Sequence, residues 1–76
     1  MERVEIDNRG LEPPEPMVRI LNTLAENGRE TQVLALMDRE PLFLYPELER
    51  RGYEWEIEPA EDGHYVLLIR AAGNDA

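Results

Sequence analysis

Seventeen carboxylates, eight arginines and one imidazole, at His64, make up the ionisable chemistry of this 76-residue chain apart from three tyrosines. Cysteine, serine and lysine are all absent. The common covalent nucleophiles are therefore missing, and neither a Ser-His-Asp nor a Cys-His arrangement can be assembled. Covalent catalysis would fall to Thr23, Thr31, a tyrosine or a carboxylate. What remains is general acid and base work by paired carboxylates, and Glu12 with Asp38 or Glu40 is the candidate pair. Such a pair needs a concave pocket and at least one raised carboxyl pKa, and a short chain with a flat edge offers little concavity. Metal binding through the same carboxylates is a weaker reading. His64 follows an Asp-Gly turn and has no histidine companion at i+3 or i+4, so it reads as a solvent-exposed side chain. No metal and no cofactor is expected.

The elements that would bring these residues together follow from the apolar pattern. Residues 3–7 alternate, with Val4 and Ile6 on one side and Arg3, Glu5 and Asp7 on the other, which predicts a short half-buried strand. From Pro14 onward, Met17, Ile20, Leu21, Leu24 and Ala25 form one helical stripe that Gly28 terminates. Pro14 suits the first helical position. Residues 32–37 are a nearly continuous apolar run and predict a central strand. The intervening helix has the length of a right-handed crossover, so these two strands are parallel neighbours. Pro46 sits early in a second, short helix carrying Leu48, with Leu44 and Tyr45 packing at its entry, Arg50 and Arg51 in its last turn and Gly52 as terminator. The period then changes to two. Tyr53, Trp55 and Ile57 oppose Glu54, Glu56 and Glu58; a turn at 59–63 follows, and Tyr65, Leu67 and Ile69 return on the buried side. Residues 71–76 are small and polar and read as a frayed tail. The whole is α+β: a two-layer sandwich in βαβαββ order, a four-stranded mixed sheet with both helices on one face.

Parallel neighbours end on the same edge, which is where open α/β sheets place ligands. That edge gathers Arg9, Gly10, Glu12 and Pro13 from one loop and Asp38, Arg39 and Glu40 from another. Two arginines among these carboxylates would bind a partner or a small polar ligand, or form a surface ion-pair network of little energetic worth. The helix start beside them, Pro14-Glu15-Pro16, is a poor anion site. Its prolines leave only the Glu15 and Met17 donors, and Glu12 and Glu15 already supply negative charge. It reads as rigid and self-capped.

The net charge of −9 disfavours nucleic acid and anionic membrane surfaces as partners. No apolar run approaches the length of a membrane span, and no basic-then-apolar stretch suggests a signal peptide, so the cytoplasm is the expected location. Seventy-six residues support one domain with one modest core. If Val33, Ala35 and Met37 face the helices, then Leu34, Leu36, Val66 and Leu68 share the opposite face, and such patches mark protein contacts, including a homodimer's.

The octapeptide Arg9-Gly10-Leu11-Glu12-Pro13-Pro14-Glu15-Pro16 resembles the Arg-Gly-Leu-x-Cys-Pro-x-Pro motif of the TusA-like (SirA-like) sulfur carriers, with Pro13 where the reactive cysteine belongs. Together with Asp38-Arg39-Glu40-Pro41-Leu42 and the segment from Leu44 to Tyr53, it resembles a cysteine-lacking branch, the domain of unknown function numbered 2249. The resemblance covers residues 3–70 and implies the same two-layer sandwich, as a single domain. It also implies that sulfur transfer is lost, because the thiolate is the nucleophile in that chemistry. The leading expectation is a non-catalytic binding or adaptor domain whose proline-stiffened edge recognises another protein or a small ligand. The rival is the carboxylate-based enzyme.

Overall fold

The computed structural model describes residues 2–73. Six elements follow one another: β1 (Glu2–Asp7), α1 (Glu15–Asn27), β2 (Thr31–Met37), α2 (Leu44–Arg50), β3 (Tyr53–Pro59) and β4 (Tyr65–Ala71). The strands form one mixed sheet in the order β1-β2-β4-β3. β1 runs parallel to β2, with Val4 opposite Val33 and Ile6 opposite Ala35. The other two contacts, β2 with β4 and β4 with β3, are antiparallel. The expected α+β sandwich in βαβαββ order is the fold observed.

Each element follows from local chemistry. The α1 stripe turns Ile20 and Leu24 into the core with Met17 and Leu21 packed beside them. Ala25, assigned to that stripe by its spacing, is exposed. Eight residues beyond Met17 the helix has turned about 80° past the stripe's origin, so Ala25 lies on the flank. The helix also begins one residue later than expected. Pro14 is the N-cap rather than the first helical residue, and Pro16 falls within the first turn. The Glu15 N–H donates to the Glu12 carbonyl at 2.9 Å and the Val18 N–H to the Pro14 carbonyl at 3.1 Å, so backbone carbonyls before the helix take both of these donors. α2 buries Leu44 and Leu48, an i, i+4 pair on one face. Gly52 follows it with φ +83, a left-handed conformation, and a Cβ there would meet the Arg29 guanidinium at 3.2 Å.

The core lies between the sheet and both helices. Ile20, Leu44, Leu48, Val33, Ala35, Leu67 and Ile69 have no exposed surface. At the end of the sheet where β2 begins, Arg29 clasps the turn after α2. Its guanidinium donates to the carbonyls of Arg51 at 3.2 Å and Gly52 at 2.8 Å, and it lies 5.0 Å from the centre of the Tyr53 ring. β1 also starts at this end, Glu2 opposite Thr31, and β4 finishes here, Ala71 opposite Tyr53. Ala71 thus belongs to the sheet, and the Ala72 N–H donates to the Gly52 carbonyl at 2.9 Å. The first residues of the expected frayed tail are therefore paired, because Tyr53 extends the ladder past Arg70; residues 74–76 lie outside the described residues. Among the described residues no helix is long and apolar enough to cross a membrane.

Candidate binding edge

At the opposite end, where β1 and β2 finish, the loops rise around a cavity of about 560 Å³. The flat edge expected of so short a chain is absent. The concavity lies between the loop and first turn of α1 and the loop that joins β2 to α2. Leu11, Pro13, Pro16 and Met17 wall one side, and Pro41, Leu42, Phe43 and Leu44 the other. Prolines fix φ and stiffen both walls; the Pro13–Pro14 peptide bond is cis.

The floor is organised by Asn8, a buried polar residue with only 1% of its surface exposed. Its backbone N–H donates to the Leu36 carbonyl at 2.8 Å, continuing the parallel ladder. Its Nδ2 donates to the Pro16 carbonyl at 3.1 Å and to the Met37 sulfur at 3.5 Å. One amide therefore binds the end of β1, the first turn of α1 and the end of β2. Arg19 closes this junction from outside, donating to the Asp7 carbonyl at 3.0 Å. The Asn8 Oδ1 accepts from Arg19 Nη1 at 3.5 Å, so this buried amide has both roles satisfied and fixes geometry, since leaving it unpaired costs about 1–3 kcal/mol.

The rim is where the ionisable residues stand. Glu12, Asp38, Arg39 and Glu40 all border the cavity and all are exposed. Asp38 Oδ2 accepts the Gly10 N–H at 2.6 Å, which joins the two loops. Gly10 takes φ +83 to present that donor. Arg9 turns away from the cavity and grips Asp7 in a two-point ion pair, Nε to Oδ1 and Nη2 to Oδ2, each 2.9 Å. The side-chain hydrogen bonds from Arg9, then its backbone N–H, bring the Asp7 carboxyl down to about 2. Asp7 in turn raises the pKa of Arg9, with Asp62 and Asp38 adding their charge. The expected ion-pair network across the two loops thus contracts to one pair within the first loop and one carboxylate-to-backbone bond, because Asp7 lies two residues from Arg9 and captures it. Arg39 makes no ion pair among the described residues.

Glu40 accepts a hydrogen bond from the Tyr45 hydroxyl at 3.1 Å. Burial, and then this carboxylate, push the Tyr45 pKa up to about 12. The Tyr45 ring stacks on Trp55, centroids 4.9 Å apart and planes 11° from parallel. Glu15 stands outside the cavity and exposed. Among the described residues no three of the histidines and carboxylates cluster as metal ligands would. Glu12, Asp38 and Glu40 share a rim but each remains solvated, which is a poor setting for a tuned acid and base.

Two placements depart from expectation. The His64 side chain is only 16% exposed, its Nδ1 against the Asp62 carboxylate. The tight turn before β4 folds the ring back instead of releasing it to solvent. Desolvation would raise the Asp62 carboxyl, but the hydrogen bond and charge of His64 outweigh it and lower it. The second departure is apolar. Leu42 is 64% exposed and Phe43 88% exposed, on the cavity's outer wall. Sequence reasoning looked for charged groups and passed over Asn8, Leu42 and Phe43. The available signal was the run Leu42-Phe43-Leu44 between two prolines, longer than the buried face of so short a helix can absorb.

No curated protein and no solved structure matches the chain. A family model does: that of DUF2249, described as an uncharacterized conserved protein, matches residues 5–71. The matched span takes in Asn8, both cavity walls, both helices and the whole of β4, so the chain belongs to the DUF2249 family.

Proposed function

We propose that this is a non-catalytic binding or adaptor domain that docks another protein at the edge formed by residues 8–17 and 37–44. The observation that carries the reading is Phe43, 88% exposed beside a cavity with largely apolar walls. Leaving such a ring in water forgoes the burial that stabilises other aromatic residues, and a partner's side chain seated between Phe43 and the proline wall recovers it. Arg39, with no ion pair of its own among the described residues, supplies a charged contact at the rim. The absence of cysteine, serine and lysine supports binding over catalysis. The motif likeness to TusA-like carriers fits the same reading: Pro13, at the motif position of their reactive cysteine, lines the cavity and offers no thiol. A cytoplasmic location is part of the proposal, and fractionation of the native organism checks it.

The test is capture from the native organism with the wild-type chain and with Phe43→Asp. A partner held by the first and lost by the second, at equal melting temperature, supports docking at this edge. A small molecule that copurifies, seen by native mass spectrometry, favours a ligand instead, since the cavity falls within the ordinary range of ligand pockets of about 300–1,000 Å³. Retention of the same partner by both chains refutes the site.

A further inference from the structure

The face of the sheet turned away from the helices carries a second, separate pattern. Strand register places Leu34 opposite Leu68 and Leu36 opposite Val66 across the central pair. On the β1 side, Glu5 stands opposite Leu34 and Asp7 opposite Leu36. On the β3 side, Glu56 stands opposite Leu68 and Glu58 opposite Val66. Two successive rows therefore read carboxylate, aliphatic, aliphatic, carboxylate across the four strands. The four aliphatic residues are only partly covered. Adjacent strands lie about 4.8 Å apart, so the carboxylate rails are separated by roughly 14 Å.

The charges on those rails are unequally satisfied. Asp7 is engaged by Arg9, and Arg70 bridges Glu54 at 2.8 Å and Glu56 at 3.0 Å. Glu5 and Glu58 have no ion-pair partner among the described residues. One free carboxylate thus stands on each rail, although on β1 the exposed Arg3, also without an ion pair among the described residues, stands two residues from Glu5 on the same face. We infer that this face is a second docking surface, and that its occupant is an amphipathic helix of another protein with an apolar stripe flanked by Arg or Lys. A helix about 10–12 Å across lies between the rails, its stripe on the four aliphatic side chains and its basic flanks at Glu5 and Glu58. A second copy of this chain is the poorer occupant, because on each copy Glu5, Asp7, Glu54, Glu56 and Glu58 outnumber Arg3, Arg9 and Arg70, and the excess negative charge of two such faces repels. The inference is independent of the loop edge and holds if that site fails.

The probe is a synthetic amphipathic peptide of about 14 residues built from leucine and lysine in helical register, titrated into the isotopically labelled full chain. The expected result is shift changes centred on Leu34, Leu36, Val66 and Leu68, weakened by salt. Glu5→Gln with Glu58→Gln, both exposed and unpaired, should weaken binding about threefold or more at low salt, the scale of two rim ion pairs, without altering the melting temperature. Leu68→Lys should abolish it; if that variant fails to fold, the double glutamine variant decides. Equal binding by a scrambled peptide of the same charge overturns the inference, because only net charge would then be recognised. Shifts confined to residues 8–17 and 37–44 overturn it as well. So does concentration-dependent dimerisation through this face in the free chain.

Discussion

Replacing Ile20 and Phe43 by alanine, one at a time, separates residues that hold the fold from residues held by it. Ile20 has no exposed surface and packs with Leu24, Val33 and Leu48 in the core. Truncation to alanine removes three carbons, about 2.4 kcal/mol of transfer free energy at roughly 0.8 kcal/mol per methylene. The unfilled space adds to that, giving about 3–4 kcal/mol. A domain of this length has a total stability of roughly 4–11 kcal/mol, so the variant approaches the limit of folding at room temperature. Its melting temperature should fall by roughly 12–32 °C, at about 4–8 °C per kcal/mol for a domain of this size. Phe43 is a larger side chain, yet 88% of it is in water. Its truncation should change stability by no more than about 0.5 kcal/mol. Urea unfolding followed by circular dichroism, with Trp55 fluorescence as a second probe, measures both. The reasoning fails if Ile20→Ala costs under about 1 kcal/mol, or if Phe43→Ala costs more than about 1.5 kcal/mol. The second outcome would make Phe43 a structural residue and remove the main support for the docking edge.

The acid limb of stability should carry the mark of Asp7. Its folded pKa of about 2 lies below the ordinary aspartate value, so its contribution is complete above about pH 4 and disappears as the pH falls towards 2. Asp7→Asn should flatten that part of the stability profile, and high salt should reduce the wild-type slope because the pair is exposed; an unchanged profile in the variant would show that the pair contributes nothing. Pro13→Cys should fold and place a thiol on the cavity wall with ordinary acidity, near a pKa of about 8.5. The Glu15 N–H is already taken by the Glu12 carbonyl and two carboxylates stand nearby, so the thiolate gains little. Alkylation rate against pH measures this, and a strongly depressed pKa would mean that the start of α1 still favours anions.

Most of the architecture was legible because it rests on long apolar periods. The α1 stripe, the unbroken run of β2 and the two-residue alternation of β3 and β4 each span enough residues for burial to override other preferences. The parallel pairing of β1 with β2 followed from a crossover helix of the right length. The meeting of residues 9–13 with 38–40 was legible for the same reason, since strand ends on one edge bring their loops together. The cavity was not. It depends on how Pro41–Leu44 is placed against Leu11–Met17, a tertiary relation with no sequence period. The fate of Phe43 was equally hidden. In Leu42-Phe43-Leu44 every position is apolar, and only the phase of α2, set by Leu44 and Leu48, decides which one is buried. His64 was misplaced because local turn geometry, not hydrophobicity, folds its ring against Asp62.

The clasp of Arg29 and the directions of β1 and β4 have a consequence for how the domain joins other polypeptide. β1 starts and β4 finishes at the end of the sheet where Arg29 binds the carbonyls of Arg51 and Gly52. Phe43, Arg39 and the proline walls stand at the other end, a full strand length away. A tether attached at either terminus therefore leaves the proposed docking edge pointing outward and unobstructed. The sheet face turned away from the helices runs along the side between the two ends. The same geometry fits the domain for use as a module: immobilised or fused through the tethered end, it leaves the cavity and its rim facing the other side.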